Sequence, residues 1–239
     1  DFEILQEDLA NALSVVSRFV SSRPQLPVLA NILFSVRKDN KLLLAATNLE
    51  VGIQFLLDAK VKKPGELALP AKDINEFVSY LSPGRIHLFS SNDFKITLTS
   101  SSGKSLFSGM NADEFPKMPV ADKDLTVGLP KNGIRECFEK IGFAAANDDT
   151  RPILAAINWQ FNKNGYRMVA TDGYRLSLKD IDNVSVKLKS KDDVLKFLIP
   201  SRSLAEAVRL AKTDEIRVGL TTDGNQVIFL MDGIQLSSR

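Results

Sequence analysis

The stretch "TRPILAAINWQFNKNGYRMVATDGYRLSL", residues 150–178, decides the fold, because the chain carries it twice. Residues 23–53, "RPQLPVLANILFSVRKDNKLLLAATNLEVGI", run in the same order. Each goes from Arg-Pro into an apolar strand and then a polar turn, Lys-Asn-Gly in one copy and Lys-Asp-Asn in the other. A second strand follows, then Ala-Thr-Asp or Ala-Thr-Asn, then a third strand. The offset of about 130 residues is that of a duplicated domain, much longer than the period of a solenoid.

The flanks repeat as well. "DFEILQEDLANALSVVSRFV" (1–20) puts Leu9, Leu13, Val16 and Val20 on one helical face, and "DLTVGLPKNGIRECFEKIGF" (124–143) does the same with Ile134, Phe138 and Ile141. "ELALPAKDINEFVSYL" (66–81) pairs with "KFLIPSRSLAEAVRLA" (196–211), each a short strand, a proline and an amphipathic helix. Ile74, Val78 and Leu81 match Leu204, Val208 and Ala211 in spacing. Pro70 and Pro200 are expected in the first helical turn, where the missing N–H costs nothing. "RIHLFSS", "FKITLTS" and "SLFSGM" close the first half; "EIRVGLT", "QVIFLMD" and "IQLSSR" close the second. Each half therefore reads strand, helix, three strands, twice over. Helices backed by meander-like strands imply an α+β class with antiparallel sheet. The polar segment "NADEFPKMPVADKD" (111–124) is the linker, giving domains 1–120 and 121–239.

Composition narrows the chemistry. The chain has 239 residues, 44% of them hydrophobic and 25% charged, as globular domains do. No apolar run reaches the roughly 18 residues of a membrane span, and no signal peptide opens the sequence. The lone Cys137 cannot form a disulfide within the chain, and its apolar helical spacing predicts a buried structural thiol; a reducing cytoplasm is the simplest location. A single histidine, His87, argues against a histidine-based triad and a multi-histidine metal site, and it is read as a strand residue. No metal or cofactor is expected. The net charge is only +2, zero over residues 1–120 and +2 over 121–239, too little for a tight duplex binder with many phosphate contacts.

Asp172 lies on a Thr-Asp-Gly turn in one of two lobes, so an aspartic-protease arrangement has to be weighed. That chemistry needs a second carboxylate to share a proton. The first copy offers Thr47, Asn48 and Leu49, so a hydrolase using Asp172 lacks its partner acid. Asp172-Gly173 between strands points instead to a type I′ hairpin turn. Gly103-Lys104-Ser105 lacks the upstream glycine of a phosphate loop, and Asp148-Asp149 reads as an exposed loop. Arg202, Arg209 and Lys212 against Glu206, Lys72 with Asp73 and Glu76, and Arg18 with Arg23 place modest positive charge on the helical side of both halves.

Taken in order and spacing, "SSRPQLPVLANILF", "AATNLEVGI", "DEFP", "DDTRPILAAI", "ATDGYRLSL" and "FLIPSRSLAEAV" resemble the bacterial sliding-clamp family, the β subunit of DNA polymerase III. The resemblance spans essentially the whole chain. It implies a non-enzymatic processivity factor whose subunits have three such domains. Two subunits would close into a ring around duplex DNA, helices inward, sliding on weak non-specific contacts. On that basis the chain is a fragment holding the first two domains, with the C-terminal third absent; a truncated interaction module that does not encircle DNA is the alternative. Carried over by motif position, Arg23 is the foremost DNA contact, followed by Lys72 and Arg202; Arg209 is added from helical spacing. The resemblance also implies a hydrophobic pocket for short peptides of the polymerase, the clamp loader and repair proteins. Its side in this chain would be Leu154, Thr171, Gly173, Tyr174, Arg175 and Leu176. Phe107 and Gly109 fall at the implied ring interface. Two positions depart from the pattern: Tyr174 stands where the family often has His, and Gly109 where it often has an apolar side chain.

Overall fold

The computed structural model describes residues 1–21, 24–90, 94–148, 150–182 and 195–239. The chain forms two compact units, Asp1–Met118 and Pro119–Arg239.

In unit 1, strand β1 (Phe2–Leu5) leads into helix α1 (Gln6–Val16) and the meander β2 (Asn31–Val36), β3 (Lys41–Thr47), β4 (Val51–Asp58). The short β5 (Lys60–Val61) follows. Then β6 (Gly65–Pro70) leads into α2 (Ala71–Tyr80) and a second meander, β7 (Arg85–Ser90), β8 (Lys95–Thr99), β9 (Lys104–Ser108). The lead strand of each half joins the other half's meander. β1 pairs antiparallel with β7, Phe2 opposite Leu88, and β6 pairs with β2, Pro70 opposite Asn31. The two halves are therefore interlocked: each helix departs from one sheet and returns to the other.

Unit 2 repeats this topology. β10 (Thr126–Pro130), α3 (Lys131–Ile141) and the meander β11 (Ala156–Asn162), β12 (Gly165–Thr171), β13 (Leu176–Asp182) form its first half. β14 (Leu195–Pro200), α4 (Ser201–Leu210), β15 (Glu215–Leu220), β16 (Val227–Met231) and β17 (Ile234–Ser238) form its second. The strand exchange recurs, β10 with β15 and β14 with β11. The α+β class with antiparallel sheets holds throughout.

The helices bury the stripe that their spacing predicts. Leu9, Leu13 and Val16 of α1 and Ile74 and Val78 of α2 are fully buried, and Gln6 Nε2 donates to the Val78 carbonyl at 2.9 Å, tying α1 to α2. In α3 the buried set is Ile134, Cys137 and Ile141, so Cys137 takes the core position and Phe138 is half-buried beside it. Burial pushes the Cys137 thiol up to about 11, which keeps it protonated and inert at neutral pH. Unit 2 builds its core around Trp159, whose ring stacks on Phe161 at 5.0 Å and meets Tyr166 edge-on at 5.6 Å.

The prolines sit one place earlier than the sequence suggests. Pro70, Pro130 and Pro200 are the last residues of β6, β10 and β14 and the N-cap residues of their helices, with extended backbone. These are edge strands, where a missing N–H removes no ladder bond. The first amides of the helices find backbone partners instead: Gln6 N donates to Gly84 O at 2.8 Å and Lys131 N to Asp214 O at 2.8 Å.

Candidate functional site

Three surfaces gather the residues singled out above. The first is the helix faces. Lys72 lies exposed in the first turn of α2, and Arg202 occupies the matching position of α4, two residues past the N-cap proline. A cation there adds to the partial positive charge of the helix N-terminus, so each position attracts anions. Arg202 also donates from Nη2 to the Asn147 carbonyl at 3.1 Å, which restrains it against its own domain. Arg209, two turns further along α4, is paired with Glu206. Arg23 lies outside the described residues. The expected positive charge on the helical side is not general: α1 and α2 present Glu7, Asp8, Asp73 and Glu76 against Lys72. The excess is local, along α4, where Arg202 and Arg209 stand against Glu206.

The second surface is the loop between β12 and β13. Asp172 Oδ1 accepts from the amides of Tyr174 and Arg175, both at 3.0 Å, and Oδ2 accepts from Arg175 Nε at 3.0 Å. These backbone donors, ahead of the Arg175 side chain, hold the carboxyl below the usual carboxylate range. Thr171 Oγ1 donates to the Arg175 carbonyl at 2.7 Å and accepts from Gly173 N at 3.1 Å. The turn is therefore not type I′, which needs positive φ at two successive residues. Only Gly173 is left-handed, at φ +92°, and four residues span the Thr171–Leu176 pair. The side-chain acceptor on Asp172 makes this wider loop more favourable than a two-residue turn. Both carboxyl oxygens are therefore engaged within the loop, Oδ1 by two amides and Oδ2 by the Arg175 side chain.

Around this frame lies an exposed apolar surface. Tyr174 is 94% exposed, Leu176 66% and Ile153 72%, while Leu154 is half-buried and lies under Gly173. Arg175 extends over the Phe143 ring, 5.5 Å from its centroid, in a cation–π contact. The structure thus brings Leu154, Thr171, Gly173, Tyr174, Arg175 and Leu176 into one patch and adds Phe143, Ile153 and Arg151. The only sequence signal for Phe143 is that it falls off the buried stripe of α3 just after the helix ends.

The third surface is strand β9. Phe107 is turned inward, its ring edge-on to Phe77 at 5.6 Å, so it is core, and Leu106 is the exposed apolar residue of the strand. Gly109 offers no side chain because none fits: a Cβ there would stand 2.6 Å from the Ala68 carbonyl oxygen. Among the described residues no group of three or more His, Cys, Asp or Glu is placed to hold a metal ion, and no helix is long and apolar enough to cross a membrane. His87 lies in β7, with Nε2 2.8 Å from Asp1 Oδ1.

Two interlocked α+β units of one topology define a duplicated scaffold of the clamp type. Residues 1–119 match the N-terminal domain of the DNA polymerase III beta subunit and residues 128–239 its central domain. The chain belongs to that family. It is 35% identical, over 98% of its length, to the beta sliding clamp of Synechocystis sp. and 32% identical over 98% to that of Synechococcus elongatus. It spans 64% and 62% of those relatives' lengths. The fold superimposes over 100% of this chain on a DNA polymerase III beta subunit from Pseudomonas aeruginosa (TM-score 0.88, 25% identity, 64% of that chain). It does so equally on a DNA polymerase sliding clamp from Bacillus subtilis (TM-score 0.89, 22% identity, 63% of that chain).

Proposed function

We propose that this chain forms the first two domains of a non-catalytic processivity clamp, which encircles duplex DNA as a homodimeric ring and tethers the replicative polymerase in the cytoplasm, at the nucleoid. The observation that carries this reading is that both units, one after the other, match successive domains of a single clamp family. The near-neutral charge supports it: a ring held by topology needs only weak phosphate contacts, and strong ones would brake sliding. Arg23, Lys72, Arg202 and Arg209 are the proposed contacts to the DNA backbone. The edge of β9, with Leu106 outward and Phe107 and Gly109 behind it, is the proposed ring contact in unit 1. The patch of Leu154, Thr171, Gly173, Tyr174, Arg175 and Leu176 is proposed to receive short apolar peptides of the polymerase, the clamp loader and repair proteins. A third domain, outside this chain, would complete both the ring and the pocket.

The test is topological. The complete gene product, loaded on nicked circular DNA, should stay bound at salt concentrations that strip an ordinary duplex binder, and should be lost once the circle is cut. Equal loss from circles and linear DNA would remove the ring reading and favour an interaction module that does not encircle DNA.

A further inference from the structure

We propose that the outer face of the five-stranded sheet of unit 1 binds a short run of single-stranded nucleic acid, away from the helix faces and from the 171–176 loop. That sheet runs β5, β1, β7, β8, β9, with β7 in the middle. Alternation sorts its side chains. Ile86 and Leu88 of β7 and Ile96 and Leu98 of β8 are buried, so Arg85, His87 and Phe89 stand on the opposite face with Lys95, Thr97 and Thr99. The face is open: Phe89 is 44% exposed, and the side chains of Lys60 and Arg85 are exposed beside it.

Two features of this face point to one kind of partner. The first is a pair of rings. His87 and Phe89 lie two residues apart on the middle strand, so they stand about 7 Å apart on one side of it. Asp1 Oδ1, 2.8 Å from His87 Nε2, holds the imidazole by its edge. Rings on an open sheet are platforms on which unpaired bases stack, with little regard to sequence. The second is positive charge on both flanks. On one side His87 lies opposite Glu3, and Lys60, Lys62 and Arg85 converge on that carboxylate at 3.6, 2.7 and 3.7 Å. One carboxylate does not offset three cations. Asp8 and Asp58 line the cleft beyond Lys60 and Arg85, and Asp58 is itself paired with Lys41 at 2.6 Å. On the other side His87 lies opposite Thr99, and Thr99 opposite Lys104. Among the described residues neither Lys95 nor Lys104 has a carboxylate partner. The face thus sets Lys60, Lys62, Arg85, Lys95 and Lys104 against Asp1 and Glu3.

Cations on the outer strands with rings between them suit a phosphate backbone that crosses the sheet and lays its bases on β7. Five strands span about 19 Å, and a sheet of this width seats two or three bases. A duplex would meet the lysines, but its bases stack on one another and cannot reach Phe89. An acidic peptide would engage the cations and leave the ring faces unused.

The experiment is fluorescence anisotropy of the complete gene product with a fluorescein-labelled oligothymidylate at low salt. Phe89→Ala should weaken binding about tenfold, and Phe89→Tyr, which keeps the ring, should restore it to within about twofold of wild type. Lys95→Ala and Lys104→Ala should each lower the slope of log affinity against log salt by roughly 0.7, the value for one phosphate of a single strand. The joint change Lys72→Ala and Arg202→Ala, on the helix faces, should leave oligothymidylate affinity as it was. A readout without any variant is the 19F resonance of Phe89 in fluorophenylalanine-labelled protein, which should shift as the oligonucleotide is added. No oligothymidylate binding by the wild type, an unshifted Phe89 resonance, or loss of binding only in the helix-face variant overturns the proposal. So does displacement of the oligonucleotide by an oligoglutamate peptide whose own affinity is the same in Phe89→Ala, which would assign the face to an acidic protein partner.

Discussion

Asp172 and Asn48 do the same work with different chemistry. Each gathers two loop amides, and the first copy does so without a charge, so the carboxylate in the second copy is not needed for the turn itself. What it adds is the bond to Arg175 Nε, which helps hold the guanidinium over Phe143. Because the folded-state value of Asp172 lies below its ordinary 3.8, its contribution to stability is present above that value. It is lost as the pH falls through the lower, folded-state value. Asp172→Asn should therefore keep the fold and flatten the acid limb of stability. Thermal midpoints followed from neutral pH down through about pH 3 measure this, and an acid limb identical to wild type would mean the carboxyl is not anchored in solution. The loop's importance could be read from the sequence, because Thr-Asp and Thr-Asn recur between strands. Its conformation could not, because Asp-Gly alone suggests a two-residue turn, and only the spent Thr171 and Asp172 side chains reveal the longer one.

At the scale of elements, periodicity made the helices and the order of strands legible. Strand pairing was less so. Pro70 and Pro200 mark edge strands, but nothing local says that each lead strand joins the other half's meander. Strand β9 illustrates the limit: its alternation separates Leu106 from Phe107, yet only packing against Phe77 shows which of them faces inward. Gly109, next along, is required by close passage of the β6 backbone. Gly109→Ala would push a methyl against the Ala68 carbonyl and should cost about 2 kcal/mol by urea denaturation. Gly65→Ala, where nothing lies within 4 Å of the added carbon, is the matched control, with an expected change within about 0.5 kcal/mol. Equal stability of the two variants would mean that β6 and Gly109 separate readily in solution.

For the whole molecule, the useful quantity is how little charge it carries. Lys72 and Arg202 occupy the same place in two copies of one helix, and both stand near the positive end of the helix dipole. As proposed backbone contacts they should contribute to salt-dependent affinity without choosing a sequence. Alanine at both positions should weaken binding of the complete gene product to short linear duplexes to a similar degree whatever their sequence. The slope of log affinity against log salt should fall by roughly 0.9 for each phosphate contact removed. An unchanged slope would take both residues out of the DNA interface. The sequence by itself determined the duplication, the α+β class and the order of elements, because these are written in local periodicity and in motifs that recur along the chain. Only the tertiary structure decided the interlocked sheets, the inward turn of Phe107 and the backbone contact that forces Gly109. Each depends on contacts between residues far apart in sequence, such as Phe2 with Leu88 and Gly109 with Ala68, and these pairings come into being only when the chain packs.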